Sequence, residues 1–117
     1  MPLASSVETY VTEHSGAHAP DLLNAEILHV LRGYERRGVI DAERSREVVR
    51  DLLDLPIARY PTTALLERAW QLRANLTACD AMYVALADAL DTRLVTADAG
   101  LAAAARTHAG IEVALLE

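Results

Sequence analysis

Three carboxylates of this 117-residue chain stand in sequence contexts that a solvated surface explains poorly. Asp80 interrupts the most hydrophobic segment of the protein, and Asp98 directly follows a predicted strand at the start of a predicted helix. Glu26 lies on or near the apolar stripe of its own predicted helix. Two carboxylates about 4 Å apart repel by about 4 kcal/mol at an effective dielectric of about 20. If the three meet at one end of a sheet, they must therefore share a cation or take up protons.

The chemistry of such a cluster is that of a hard cation. Carboxylate oxygens without a Cys or a pair of His at ligand spacing favour Mg²⁺ or Mn²⁺ over zinc. An ion of that kind activates water and neutralises a phosphate during hydrolysis of a phosphodiester. The residues alone therefore predict a metal-dependent phosphoryl site at Glu26, Asp80 and Asp98.

Each of these carboxylates also has a purely structural interpretation, which stays open beside the chemical one. The pattern Thr77-x-x-Asp80 resembles a capping box, and an acid in the first turn interacts well with the helix dipole. Asp98 suits a helix N-cap. Glu26 could reach the rim of its helix or form an ion pair, although Arg32 at i+6 is too far along the helix to be an ideal partner.

The elements that must position these side chains alternate between helix and strand. Caps, apolar periodicity and proline stops predict helices over residues 5–13, 21–37, 41–55, 62–74, 77–90 and 98–107. An extended piece at 18–20 and strands at 57–60, 93–96 and 111–114 separate them. This order predicts a three-layer α/β/α domain with a short parallel sheet flanked by helices.

The predicted sheet lacks its expected centre. A doubly wound sheet usually buries its most apolar strand in the middle, yet no run of four or five consecutive Val, Ile or Leu residues occurs in the chain. We therefore expect a single domain over residues 1–117 whose central strand is absent.

Composition narrows the function classes. The net charge is −6, with 17 acidic residues against 11 basic ones, which argues against a broad electrostatic grip on nucleic acid. Aromatic residues make up 4% and Phe is absent, so no base-stacking platform is evident. The chain has a single cysteine, Cys79, and shows neither a leader sequence nor an apolar run of membrane-spanning length. We therefore expect a cytoplasmic protein without a membrane contact.

Other residues with chemical potential receive structural interpretations. Trp70 is expected in the core and Cys79 as a small buried filler rather than a nucleophile. The histidines lack ligand spacing and are expected on the surface or in loops: His14, His18, His29 and His108. Three arginines could position phosphates, although solvated helix faces explain them as well: Arg32, Arg36 and Arg73.

Three stretches of the chain resemble PIN-domain ribonucleases, specifically the VapC-type toxins of bacterial toxin–antitoxin pairs. They are APDLLNAEILHVLR around Glu26, LLERAWQLRANLTACDAMYVALADAL around Asp80, and LVTADAGLAAAA around Asp98. The second stretch is the most specific, because helix propensity alone does not produce it. The resemblance covers most of the chain from about Ala19 onward.

The resemblance implies an endoribonuclease that depends on Mg²⁺, or Mn²⁺, and a homodimer that a cognate VapB-type antitoxin neutralises. Carried over residue by residue, it places the family's glutamate on Glu26 and its later aspartates on Asp80 and Asp98, as metal ligands that also activate water. Thr96 matches the hydroxyl residue common just before the last acid. RNA is the implied substrate.

One part of the family pattern is expected to be missing. VapC-type toxins begin with an apolar strand that ends in an aspartate, whereas this sequence begins MPLASSVETYV. Neither Glu8 nor Asp21 matches that motif. Two explanations account for the difference: a misassigned start codon or shortened chain, or genuine loss of the segment. In either case three of the four acids are left. We therefore expect weak metal binding and poor RNA cleavage.

Two other function classes are alternatives to a ribonuclease. A degenerate PIN domain could act as a non-catalytic module that binds the antitoxin. A receiver-like phosphoacceptor domain needs a late lysine, and the chain has no lysine, which excludes that class.

Overall fold

Short parallel strands alternate with α-helices over residues 16–116, the part of the chain that a computed structural model describes. The strands are β1 (Ala17–Pro20), β2 (Ile57–Tyr60), β3 (Leu94–Thr96) and β4 (Val113–Leu115). The helices are α1 (Leu22–Arg36), α2 (Ala42–Asp54), α3 (Leu66–Gln71), α4 (Ala78–Ala89) and α5 (Ala99–Ala109), with a 3₁₀ turn at Thr62–Leu65 before α3. The helix predicted over residues 5–13 lies outside the described residues.

The strands form two parallel pairs. β1 pairs with β2, and β3 pairs with β4. Helices α1 and α2 connect the first pair and α5 connects the second, as parallel pairing requires. The predicted α/β architecture with parallel strands is confirmed. The expectation about the first strand falls on residues 1–15, outside the described part, and stays a prediction.

Helix α4 lies at the centre of the described structure. It packs against β1 of one strand pair and β3 of the other, and also against α3 and α5. Ala81, Val84 and Ala85 are at most 1% exposed, and the two alanines let neighbouring elements approach closely because they carry so little side chain. The predicted burial of this helix on several sides is confirmed.

Three helices begin at the predicted side-chain caps, whereas Asp21, at the start of α1, forms no side-chain cap hydrogen bond. Asp41 accepts a hydrogen bond from the Arg44 N–H at 2.7 Å, and Thr77 and Asp98 cap α4 and α5 in the same way. The helix predicted over 62–74 is shorter, since it divides into the 3₁₀ turn and α3. After α3, the Leu72 N–H bonds to the Ala69 carbonyl at 3.1 Å, an i to i−3 bond that tightens and ends the helix.

Two burial predictions are wrong. Trp70 is 67% exposed because Ala69 of α3 and the flanking Leu65 and Leu72 face the core, and Trp70 lies on a different face. Cys79 is exposed, since the buried face of α4 runs through Ala81 and its helical neighbours instead.

The surface histidines behave as predicted within the described residues: His18, His29 and His108 are exposed. His14 lies outside that part. None of the helices in residues 16–116 has the length and apolar character needed to cross a bilayer.

Candidate active site

Glu26 sits in the second turn of α1, at a position that two contacts from β2 fix. The Asp21 N–H donates to the Tyr60 carbonyl at 2.8 Å, and the Arg59 Nε donates to the Asn24 Oδ1 at 2.8 Å. Both contacts tie the start of α1 to the end of the β1–β2 pair. Glu26 therefore lies on a helix whose N-terminal end is hydrogen-bonded to β2.

The partner of Glu26 is a tyrosine on α4. The Tyr83 hydroxyl donates to the Glu26 Oε1 at 2.5 Å, and both residues are half-buried. The contact joins residues 57 positions apart in the sequence. The Glu26 carboxylate therefore has a protein partner and is not simply solvated at the edge of its helix. That partner is the Tyr83 hydroxyl, not an arginine.

Asp80 lies in the first turn of α4, one turn before Tyr83 on the same side of the helix. Its backbone N–H donates to the Thr77 Oγ1 at 3.2 Å, which forms half of the capping box predicted there. Among the described residues, no return bond runs from the Thr77 N–H to the Asp80 carboxylate. The cap therefore does not use this half-buried carboxylate.

The pKa of the Tyr83 hydroxyl is raised well above its ordinary value. Burial raises the pKa of Tyr83 most, and the hydrogen bond and negative charge of Glu26 raise it further. Smaller contributions to the raised pKa come from Cys79 and Asp80. The phenol consequently keeps its proton, so it acts as the donor and Glu26 as the acceptor.

Asp98 occupies the N-cap of α5, immediately after β3. Its Oδ1 accepts from the Leu101 N–H at 3.0 Å, and its own N–H donates to the Thr96 Oγ1 at 3.1 Å. A Cβ built on Gly100 would lie 3.2 Å from this Oδ1, so the glycine leaves room for the carboxylate. The structural interpretation as a cap is confirmed, and the cap engages Oδ1.

The structure joins Glu26 to Tyr83, which lies three residues after Asp80 on α4, and leaves Asp98 on the exposed start of α5. Within residues 16–116, no three side chains of His, Cys, Asp or Glu form a group that could hold a metal ion by themselves. The expectation of a closed three-acid cluster is therefore not met by the described side chains as they stand. Sequence reasoning missed Tyr83, although its i+3 spacing from Asp80 was a usable signal.

The donor set nevertheless has the chemistry of a magnesium site. Glu26, Asp80 and Asp98 offer only carboxylate oxygens, which are hard donors. Mg²⁺ keeps several waters and is usually held by one or two carboxylates together with substrate phosphates, not by an all-protein cage. By the chemistry of their side chains, these residues therefore suit a divalent ion of this kind.

The arginines considered for phosphate contacts are exposed: Arg32, Arg36 and Arg73. Arg73 places its guanidinium 4.3 Å from the centre of the Trp70 ring and donates to the Trp70 carbonyl at 2.9 Å. The contacts of Arg73 are therefore internal to the end of α3.

Comparison with known proteins gives a consistent family match. The PIN domain model matches residues 3–107. Among curated proteins of Mycobacterium tuberculosis, ribonuclease VapC1 is 50% identical over 97 residues, which cover 79% of this chain and 70% of that protein. Ribonuclease VapC9 is 42% identical over 96 residues, covering 82% and 76%, and ribonuclease VapC12 is 33% identical over 124 residues, covering 97% and 96%.

Proposed function

The chain belongs to the VapC group of the PIN-domain family, and on that basis we propose that it is a toxin of a toxin–antitoxin pair that cleaves RNA. The proposed reaction is hydrolysis of an internal phosphodiester bond at a divalent ion, Mg²⁺ or Mn²⁺. The observation that carries the proposal is the hydrogen bond that joins Glu26 of α1 to Tyr83 of α4, three residues after Asp80. Similarity to proteins named as ribonucleases favours this enzyme over a non-catalytic antitoxin-binding module.

In this proposal Glu26, Asp80 and Asp98 hold the ion. When bound, the ion would lower the pKa of a water and neutralise charge on the scissile phosphate. The chain's own residues prepare that site. The Tyr83 hydroxyl binds Glu26, the first turn of α4 carries Asp80, and the Leu101 N–H binds Asp98 at the start of α5.

The decisive test replaces Asp98 with asparagine. Asn is as good an N-cap as Asp, so Asp98→Asn should keep α5 and leave the free energy of unfolding nearly unchanged. Loss of the negative charge should lower Mg²⁺-dependent cleavage of single-stranded RNA at least tenfold. Cleavage is measured with a labelled RNA in the presence of Mg²⁺, and EDTA should abolish it.

The matched control is Asp41→Asn, which alters the equivalent cap of α2 at a position outside the proposed site. This variant should cleave RNA like the native chain. Equal activity of the native chain and Asp98→Asn would contradict the proposed role of Asp98.

Three further parts of the proposal concern partners and location. A VapB-type antitoxin is proposed to neutralise the toxin, as in the family, and the cytoplasm is proposed as the place where both meet RNA.

A homodimer is also proposed. Exposed Leu66 and Trp70, which lie one turn apart on α3, supply apolar surface that supports self-association.

A further inference from the structure

We propose that Tyr83 is a positioning residue of the metal centre, whose hydroxyl holds the Glu26 carboxylate through Oε1 so that Oε2 would be available to hold the ion. The inference rests on the proposed function, in which Glu26 is a ligand. Tyr83 itself touches neither the ion nor the RNA in this account. It acts through Glu26.

The first support is the geometry of the contact. An oxygen–oxygen distance of 2.5 Å is at the short end of the range for a hydroxyl donating to an ionised carboxylate. A bond of this kind fixes one oxygen of the carboxylate in a definite place. Since the phenol cannot accept from a carboxylate, the direction of the bond is also fixed.

The second support is the stiffness of the arm that carries the hydroxyl. Tyr83 has only two side-chain torsions, packs against the main hydrophobic core, and precedes Val84, which is 0% exposed. Glu26, in contrast, has three torsions on a half-buried helix face. A free glutamate would have to give up this freedom when it ligates, and the tyrosine removes the freedom beforehand.

The third support is the position of Tyr83 relative to Asp80. The two residues are three positions apart on α4, so that the hydroxyl and the Asp80 carboxylate share one face. The same helix therefore presents one proposed ligand directly and orients a second ligand that belongs to α1. The Tyr83–Glu26 hydrogen bond therefore sets the position of Glu26 on α1 relative to α4, the helix that carries Asp80.

The experiment measures Mn²⁺ affinity of the full chain without RNA, from the electron paramagnetic resonance signal of free Mn²⁺. Tyr83→Phe removes only the hydroxyl and should weaken Mn²⁺ binding about tenfold, the lower end of the effect of losing an outer-shell partner of a ligand. The matched control is Tyr60→Phe, which removes a hydroxyl bonded to the His18 Nδ1 at 2.7 Å. That variant should keep native Mn²⁺ affinity.

A double-variant cycle separates positioning from a general role in holding α1 to α4. In a Glu26→Gln background, Tyr83→Phe should cause no further loss of Mn²⁺ affinity, because the ligand it orients is already gone. Equal weakening by Tyr83→Phe in both backgrounds would overturn the inference, as would native affinity of Tyr83→Phe when Glu26→Gln is weakened. If Glu26→Gln itself binds Mn²⁺ like the native chain, the proposed metal site fails instead.

Discussion

At the residue scale, the structural contacts of the candidate-site side chains leave room for the chemical roles proposed for them. Asp98 caps α5 through Oδ1, and Glu26 is bound by Tyr83 through Oε1. A carboxylate has two oxygens, so one can be fixed by the protein while the other takes part in chemistry. The cap interpretation and the ligand interpretation of Asp98 are therefore compatible.

Gly100 offers a second test of this division. In Gly100→Ala the new Cβ would lie 3.2 Å from the Asp98 Oδ1, so the carboxylate must move. We expect weaker Mn²⁺ binding by at least threefold. The free energy of unfolding should change by less than about 1 kcal/mol, because the higher helix propensity of alanine opposes the disturbed cap.

The control for that substitution is Gly33→Ala in α1, where nothing lies within 4 Å of the added Cβ. It should raise the free energy of unfolding by up to about 1 kcal/mol through helix propensity and leave Mn²⁺ affinity unchanged. Native Mn²⁺ affinity of Gly100→Ala would show that the position of the Asp98 carboxylate is not critical.

At the element scale, α4 connects the core to the site. Its buried residues contact both strand pairs, and its first turn carries Asp80. Leu86 belongs to the core cluster and is 5% exposed. Leu86→Ala should lower the free energy of unfolding by about 2–5 kcal/mol, measured by urea denaturation, because it leaves a cavity among packed side chains.

The control for Leu86→Ala is Leu53→Ala on α2, where the leucine side chain is 74% exposed. This variant should lie within about 0.5 kcal/mol of the native chain. Similar losses for both substitutions would contradict the central position of α4.

The elements were largely predictable because single residues determine where helices begin. Asp41, Thr77 and Asp98 each cap a helix as their sequence patterns indicate. Trp70 was predicted in the core, but it shares an exposed face of α3 with Leu66, which is 53% exposed. Burial in this segment follows the face that carries Leu65 of the 3₁₀ turn and Ala69 of α3.

The candidate site was only partly predictable for a related reason. Glu26 could be singled out by its apolar neighbours along one helix, a local property of the sequence. Its bond to Tyr83 spans 57 positions and depends on how α1 and α4 pack, which no local pattern specifies. The register between elements is therefore the information that the sequence alone did not provide.

At the scale of the whole molecule, the net charge of −6 limits how the protein holds RNA. Without a divalent ion, few phosphates should be neutralised by arginine. Binding of a labelled single-stranded RNA in EDTA, followed by fluorescence anisotropy at increasing KCl, should give a log–log slope no steeper than about −2, or about three phosphates. A slope steeper than about −4 would reveal an extended basic surface.

The position of α4 late in the chain has a consequence for synthesis on the ribosome. The β1–β2 pair and the helices between them are complete once residue 60 has emerged, but Tyr83 follows only with α4. Until then Glu26 has no phenol to bind and the second strand pair has not been made. During synthesis from the N-terminus, the Glu26–Tyr83 contact of the candidate site can therefore form only after most of the chain has been made.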